Sequence, residues 1–219
     1  MLKRVLEPEV MDSAAEAHDY DAMDHSQVNQ LFVADLLQLR TDFQTVLDVG
    51  AGTAQIPIAL CQQHSTVRLV AIDMAQHMLR VGQGTVERAG LAERVRLQLC
   101  DAKRMPFTDA SFDGVMSNSI VHHIPEPYTV FKEMTRVVKA GGILFVRDLL
   151  RPIDAAALQG LVQMYAGDAN GHQQQMFADS LHAALTLDEV RGLVTRLGFA
   201  PATVHQTSDR HWTWAAAKP

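Results

Sequence analysis

From residue 45 onward, short apolar runs alternate with segments in which apolar residues recur at helical spacing. This alternation is typical of a parallel sheet with helices on both faces, because the crossover between two parallel strands is usually a helix. Five strands are predicted here, at residues 45–49, 67–72, 95–99, 112–117 and 142–148. Strands buried on both faces should read as nearly continuous apolar runs, as Ile143-Leu144-Phe145-Val146 does. The pattern predicts an α/β fold with a doubly wound, mostly parallel sheet.

The remaining segments complete the predicted organisation. Helices are expected at residues 54–63, 75–89, 128–138 and 186–197, and a final strand pair at 202–205 and 212–216, with one of Trp212 and Trp214 in the core. Residues 1–42 form a predicted N-terminal helical cap, interrupted by a polar stretch at 20–25, before a main domain at 43–219. Residues 151–185 are long for a connection and carry turn-forming residues at their centre, so we expect a lid.

The composition is that of one globular domain and excludes several classes of function. A net charge of −6 without a basic run argues against a nucleic-acid groove, which needs clustered lysines and arginines. No apolar run reaches the roughly 18 residues of a membrane span, and the first residues lack the apolar core of a signal peptide, so a cytoplasmic location is expected. With only Cys61 and Cys100, we expect no disulfide framework and no metal site. A small-molecule substrate is favoured, and the oligomeric state stays open.

The strongest local signal is Asp48-Val49-Gly50-Ala51-Gly52-Thr53-Ala54, where the first strand passes into the first helix. Gly50 and Gly52 allow a sharp turn and a close approach of a ligand to the backbone. A dinucleotide-binding fold would have a third glycine where this chain has Gln55. Asp48 would also repel a pyrophosphate, whereas its carboxylate suits the ammonium group of a methionine moiety. The turn therefore indicates S-adenosylmethionine as the cofactor.

Around this turn the chain resembles the class I S-adenosylmethionine-dependent methyltransferases. Their signature is an acid, then Gly, any residue, Gly, any residue, and Gly or Ala, and these positions are occupied by Asp48, Gly50, Gly52 and Ala54, with Ala51 between the glycines. The resemblance runs from about residue 45 to residue 151. It implies a Rossmann-like sheet of seven strands whose final strand is antiparallel.

The resemblance also assigns roles to residues that follow the next strands. It implies that Asp73 accepts hydrogen bonds from both ribose hydroxyls, that Met74 contacts the adenine, and that Asp101 receives the adenine amino group. The other residues expected along the cofactor are Ala102, Asn118 and Ser119. Each aspartate alone could instead be a helix N-cap. Three acids after three successive strands favour the cofactor site.

Further segments resemble the small-molecule branch of the family, including its quinone-biosynthesis enzymes; they are residues 105–107, 111–115, 121–125 and 133–142. Lys139-Ala140-Gly141-Gly142 stands where those enzymes commonly have Lys-Pro-Gly-Gly. Amino-methylating DNA enzymes carry Asn or Asp, then Pro-Pro and an aromatic residue after the fourth strand, where this chain has Ser117-Asn118-Ser119-Ile120. A small-molecule acceptor is the implication.

Ligands of open α/β sheets bind outside the carboxyl ends of the strands, and this rule selects most candidates for the acceptor site. Tyr20 is added because it resembles a tyrosine that several small-molecule methyltransferases place near the sulfonium. The candidate catalytic residues are Tyr20, His25, His122, His123, Arg147, Asp148, Arg210 and His211. For the charged residues the alternative is surface ion pairing, for the histidines a structural hydrogen bond, and for Tyr20 packing.

Four of these candidates would share one wall of the site if the final strand lies antiparallel beside the fifth; they are Arg147, Asp148, Arg210 and His211. A wall that carries both signs of charge suits a polar or zwitterionic molecule. We therefore expect a small polar acceptor whose carboxylate meets Arg147 or Arg210.

The predicted reaction is methyl transfer by in-line displacement, in which the protein mainly orients the reactants and a histidine could act as general base. Two other functions stay open. One is a non-catalytic partner protein that binds S-adenosylmethionine. The other is a nicotinamide-dependent oxidoreductase, which Gln55 and Asp48 disfavour.

Overall fold

One seven-stranded sheet forms the centre of the computed structural model, which describes residues 2–8, 12–23 and 25–219. The strands are β1 (Thr45–Val49), β2 (Arg68–Asp73), β3 (Val95–Leu99), β4 (Phe112–Asn118), β5 (Val138–Leu149), β6 (Val204–Gln206) and β7 (His211–Ala217). Their spatial order is β3-β2-β1-β4-β5-β7-β6. The first five strands pair in parallel, and β7 runs antiparallel to both β5 and β6. The predicted α/β class, seven strands and antiparallel final strand are confirmed.

Helices connect the strands and cover both faces of the sheet. Within the described residues they are α1 (Ala14–Ala22), α2 (Ser26–Leu39), α3 (Gln55–Gln63), α4 (Gln76–Arg88), α5 (Pro127–Val137), α6 (Ala155–Ala166), α7 (Gly171–Ala183) and α8 (Leu187–Arg196). Short 3₁₀ turns lie at Val121–His123 and Pro201–Thr203. None of the helices in this part of the chain is both long and apolar enough to span a bilayer.

Strand β5 begins four residues earlier than predicted. Helix α5 ends at Val137 and passes into β5 at Val138 without a loop. The pairing of β4 with β5 then shifts register between Phe112 and Gly114. The sequence hides this strand start, because the four residues Lys139-Ala140-Gly141-Gly142 interrupt the apolar run with a charge and two glycines.

The first residues of the predicted helical cap are extended. Residues 2–8 are not helical, and the backbone N–H of Val5 donates to the carbonyl of His182. The Arg4 guanidinium donates to the carbonyls of Ala183 and Ile124. The segment 2–8 therefore lies against α7 and the 3₁₀ turn at Val121–His123. Helices α1 and α2 provide the helical part of the cap, whereas its residues 1, 9–11 and 24 lie outside the described residues.

The segment predicted as a lid contains α6, a turn at 167–170 and α7, as the pattern indicated. Its role as a lid, and the division into a cap at 1–42 and a domain at 43–219, stay predictions.

Apolar side chains pack on both faces of the sheet. On one face Leu144 and Val146 of β5 belong to a cluster with α5 and α8, and on the other Phe145 packs with α2 and α3. Trp212 and Trp214 are both fully buried in the first cluster. The expectation that only one would be core was wrong, because residues two apart on a strand point to the same face.

Asp113 joins the start of β1 to the start of β5. Its Oδ2 accepts hydrogen bonds from the backbone N–H groups of Gln44 and Thr45 at 3.0 and 2.8 Å, and Lys139 Nζ donates to its Oδ1 at 2.6 Å. Although burial disfavours the charged form, these bonds lower the pKa of Asp113 to about 2. The carboxylate thereby aligns the strands whose other ends form the site described below.

Replacing this carboxylate should destabilise the fold in a pH-dependent manner. We expect Asp113→Asn to lower the free energy of unfolding by about 2 kcal/mol near pH 7, because it weakens charge-assisted bonds. The pKa of Asp113 is about 2 in the folded protein, below its ordinary value of 3.8. The difference in stability between the two proteins should therefore be complete at pH values above 3.8 and shrink as the pH falls toward 2. Urea unfolding of both proteins across this range measures it.

Asp109→Asn is the matched control, because Asp109 is 79% exposed and its ion pair with Arg136 lies in solvent. An equal loss in both variants, or a loss at Asp113 that does not change with pH, would contradict the assignment.

Candidate functional site

A cleft opens at the carboxyl ends of β1 to β4, where the turns that follow these parallel strands meet. Eight of the residues expected along the cofactor line it: Gly50, Gly52, Asp73, Met74, Asp101, Ala102, Asn118 and Ser119. Asn118 is the last residue of β4, and Ser119 follows it. Tyr20 and His123 also line the cleft. The rule that residues after parallel strands face the ligand site therefore places most of the expected cofactor residues together.

The glycine turn has the backbone geometry that its sequence predicts. Gly50 and Gly52 both have positive φ, at 78° and 52°. A Cβ on Gly50 would lie 2.1 Å from Cγ2 of Ile120, so no other residue fits there without moving the loop after β4. The N–H groups of Gly50 and Ala51 both donate to the carbonyl of Ile72, which ties the turn to the end of β2.

Asp73 is oriented by the turn that it supports. Its Oδ2 accepts from the N–H of Gly52 and its Oδ1 from the N–H of Ala75, each at 2.8 Å. Burial raises the pKa of Asp73 even though these bonds favour its charged form. A carboxylate has about four acceptor positions, so both oxygens keep lone pairs for a ligand in the cleft.

Asp48 is buried beside the cleft and does not belong to its lining. Only 2% of the residue is exposed, and its Oδ2 has no hydrogen-bond partner among the described residues. Burial, and then the negative charge of Asp73, raise the pKa of Asp48 to about 8. An unsatisfied buried carboxylate oxygen requires a proton or a cation. This oxygen fits the methionine ammonium group that the sequence indicated.

Helices α1 and α2 cover the glycine turn. A Cβ at Gly52 would lie 3.7 Å from the Tyr20 ring, and the rings of Tyr20 and His25 are 5.0 Å apart. Partial burial and the charge of Asp73 raise the pKa of the Tyr20 hydroxyl. Gln55 receives a hydrogen bond from Asn29 Nδ2 at 3.2 Å, so the residue that argued against a dinucleotide also attaches α2 to the start of α3.

Asp148 anchors the 3₁₀ turn at Val121–His123. Its Oδ2 accepts from the N–H of Val121, and its Oδ1 lies 2.5 Å from Nδ1 of His122. Although burial disfavours an imidazolium, the Asp148 carboxylate raises the pKa of His122, which does not line the cleft. His123, in contrast, lines the cleft. Its burial, and then the charge of His122, lower the pKa of His123 to about 4.

The charged wall predicted from Arg147, Asp148, Arg210 and His211 is not formed. Arg147 and Asp148 are adjacent on β5 and therefore point to opposite faces of the sheet. Arg147 donates to Asp35 at 2.7 Å and packs on Phe32, whereas Asp148 is buried under His122.

The other two members of that wall are engaged elsewhere. Arg210 lies 3.4 Å from the centroid of the Tyr165 ring, and His211 Nδ1 is 2.8 Å from Ser208 Oγ. Burial and the Arg210 charge lower the pKa of His211 to about 4. Neither residue lines the cleft.

Several residues that line the cleft or lie near it were not predicted from the sequence. Cys100 and Lys103 follow β3, and Ile120 follows β4, so the rule that found Asp101 and Ser119 could have included them. Glu7, by contrast, lies close to His122 and His123 only because the segment 2–8 crosses the 3₁₀ turn. No local pattern indicates that contact.

Residues 47–146 match the family model of a methyltransferase domain. The chain is 29% identical over 217 residues to the ubiquinone/menaquinone biosynthesis C-methyltransferase UbiE of Xanthomonas campestris pv. campestris, covering 90% of this chain and 83% of that protein. A solved SAM-dependent methyltransferase from Aquifex aeolicus superposes with a TM-score of 0.69 at 18% identity, covering 94% of this chain and 98% of that one. This second likeness concerns the fold.

Other curated relatives are longer than the part matched here. The chain is 26% identical to 27-O-demethylrifamycin SV methyltransferase of Amycolatopsis mediterranei, with 85% of this chain and 65% of that protein covered. The chain thus spans less than two thirds of the length of this relative. The matched domain contains the glycine turn, Asp73 and Asp101, which line the cleft, and Asp48, which is buried beside it. Residues 47–146 thus match a methyltransferase domain, and the chain has the fold of a solved S-adenosylmethionine-dependent methyltransferase.

Proposed function

We propose that this protein transfers a methyl group from S-adenosylmethionine to a small-molecule acceptor. The observation that carries the proposal is the buried Oδ2 of Asp48, which has no partner among the described residues and lies beside a glycine turn that admits a ligand. A fold of this kind without a cationic ligand would gain nothing from an unpaired buried carboxylate, because its burial costs free energy.

The residues of the cleft suit the parts of this cofactor. The Asp48 carboxylate would pair with the ammonium group, and the free lone pairs of Asp73 would accept the ribose hydroxyls. Met74 and Ala102 offer apolar surface for the adenine, and Asp101 an acceptor for its amino group. When bound, S-adenosylmethionine supplies an activated methyl group on a sulfonium.

The protein's own contribution to the reaction would be orientation and the exclusion of water. Tyr20, Ser119 and His123 are the polar side chains of the cleft nearest to its cap and to the loop after β4. With a pKa of about 4, His123 is neutral near neutral pH, so it can accept a proton but is a weak base. This favours an acceptor that loses its proton readily, such as a phenol, a thiol or an activated carbon, over an aliphatic alcohol.

The residues that line the cleft favour an acceptor that is less polar than the sequence predicted. Arg147 and Arg210 are engaged elsewhere, and the ammonium group of Lys103, which lines the cleft, is paired with Asp101 at 3.2 Å. Ile120, Ile124 and Val130 give one side of the cleft an apolar surface. We therefore propose an acceptor with an apolar body and one acidic nucleophilic group. The named chemistry of the Xanthomonas relative, a C-methylation in quinone biosynthesis, is compatible with this class.

The cofactor assignment can be tested at the glycine turn with a matched pair of variants. We expect Gly50→Ala to weaken S-adenosylmethionine binding at least tenfold, because the new Cβ would collide with Ile120 at a backbone of positive φ. Gly141→Ala is the control: its φ is 70°, but a Cβ there meets nothing within 4 Å. It should cost about 1 to 2 kcal/mol of stability and leave the affinity unchanged. Isothermal calorimetry and thermal unfolding measure both, and equal affinities in the two variants would argue against the site.

The activity can be tested with methyl-labelled S-adenosylmethionine and a panel of small phenols, thiols, amines, quinols and aliphatic alcohols. We expect label transfer to members of the acidic classes, and none in parallel reactions with Gly50→Ala. Normal cofactor binding without transfer to any acceptor would favour the alternative function, a partner protein that binds S-adenosylmethionine without catalysis. Transfer confined to aliphatic alcohols would refute the proposed acceptor class.

A further inference from the structure

Three potential metal ligands converge where the segment 2–8 crosses the 3₁₀ turn at Val121–His123. Oε1 of Glu7 lies 3.5 Å from Nε2 of His122 and 3.2 Å from Nδ1 of His123. All three atoms lie within 4.8 Å of one another. None of these groups is needed for the cofactor contacts proposed above.

The two distances from Glu7 match the ligand spacing around a small dication. Zinc binds imidazole nitrogen and carboxylate oxygen at about 2.0–2.1 Å, and a tetrahedral angle then separates neighbouring ligand atoms by about 3.3 Å. The two distances from Glu7 fall on either side of this value. Two histidines and one carboxylate are also a ligand set that leaves a further coordination position open.

Two of the ligands are already oriented by second groups. Nδ1 of His122 is in contact with Asp148, which directs Nε2 toward Glu7. Ser180 Oγ donates to Oε2 of Glu7 at 3.2 Å, which leaves Oε1 for the histidines. A carboxylate behind a ligating imidazole is a recurrent feature of metal sites, because it fixes the tautomer and the orientation of the ring.

Hydrogen bonding within the described residues leaves two of the ligand atoms unsatisfied. Oε1 of Glu7 and Nδ1 of His123 are buried and lack a hydrogen-bond partner, although they are only 3.2 Å apart. The contact therefore has the distance but not the geometry of a hydrogen bond. A cation between the two atoms would satisfy both lone pairs. Arg4, a positive group near these atoms, has its guanidinium committed to the backbone carbonyls of Ala183, Ile124 and His122.

We propose that Glu7, His122 and His123 bind one divalent transition-metal ion, for which Zn²⁺ is the best match in ligand type and spacing. The ion joins the segment 2–8 to the loop after β4. His123 also lines the cleft, so the ion would bind next to the space that the cofactor residues enclose. With the ion bound, Nδ1 of His123 is a ligand, so the weak-base role proposed above for His123 belongs to the metal-free protein.

The test uses the full-length protein, freed of metal with a chelator and then titrated with Co²⁺ and with Zn²⁺. We expect one tight Co²⁺ site with visible-region absorption typical of nitrogen and oxygen ligands, and displacement of Co²⁺ by Zn²⁺. Glu7→Gln and His123→Ala should each lower the affinity at least tenfold, since loss of even a second-shell group costs about 10- to 100-fold. His205→Ala removes an exposed histidine of β6 and serves as the matched control, with unchanged affinity expected.

Absence of a stoichiometric site in the unaltered protein would overturn the proposal. Equal affinities in Glu7→Gln, His123→Ala and His205→Ala would also overturn it, because the ion would then be held by other histidines. Calorimetry of S-adenosylmethionine binding to the same metal-free samples separates the two claims, since cofactor binding rests on Asp48 and Asp73 and requires no ion.

Discussion

The burial of two carboxylates at the ends of paired strands is the constraint on which the site depends. Asp48 near the end of β1 and Asp73 at the end of β2 repel one another in a region with little solvent. Asp73 offsets part of this cost by accepting two backbone N–H groups, one of them from the glycine turn itself. Asp48 has no such compensation at Oδ2, and so it is the group whose charge state a bound cation must change. Much of the remaining architecture, including the positive φ values at Gly50 and Gly52, serves to bring a ligand to this pair.

Most of the fold could be predicted because each buried strand carries its own signal. The runs in β1, β2 and β5 are apolar enough to stand out in the sequence, and glycines mark several of the turns between elements. The start of β5 could not be predicted, since a charged residue and a pair of glycines hide a strand that follows α5 directly. The extended segment 2–8 was also missed, because its conformation is set by contacts with α7 and the 3₁₀ turn.

The position of the candidate residues could be predicted where one rule sufficed, and could not where side-chain direction mattered. The turns after parallel strands place Asp73, Asp101 and Ser119 in one cleft without further information. The prediction of a charged wall was wrong because Arg147 and Asp148 are adjacent on β5. Their side chains therefore point to opposite faces of the sheet and have different partners. Glu7 could not be found at all, since its partners are more than a hundred residues away. Contacts of this kind become visible only when the chain is folded.

The proposed pairing of Asp48 with the ammonium group of S-adenosylmethionine can be measured by counting the protons that binding releases. At about pH 6.5 the cofactor's amino group is charged, whereas Asp48, with a pKa of about 8, is protonated in the free protein. Binding of the ammonium should lower that pKa and release the proton. Calorimetric titrations in buffers of different ionisation enthalpy measure the number released. We expect close to one proton per bound cofactor in the unaltered protein, and none in Asp48→Asn. Tight binding of S-adenosylmethionine to the unaltered protein without proton release would contradict the proposed pairing.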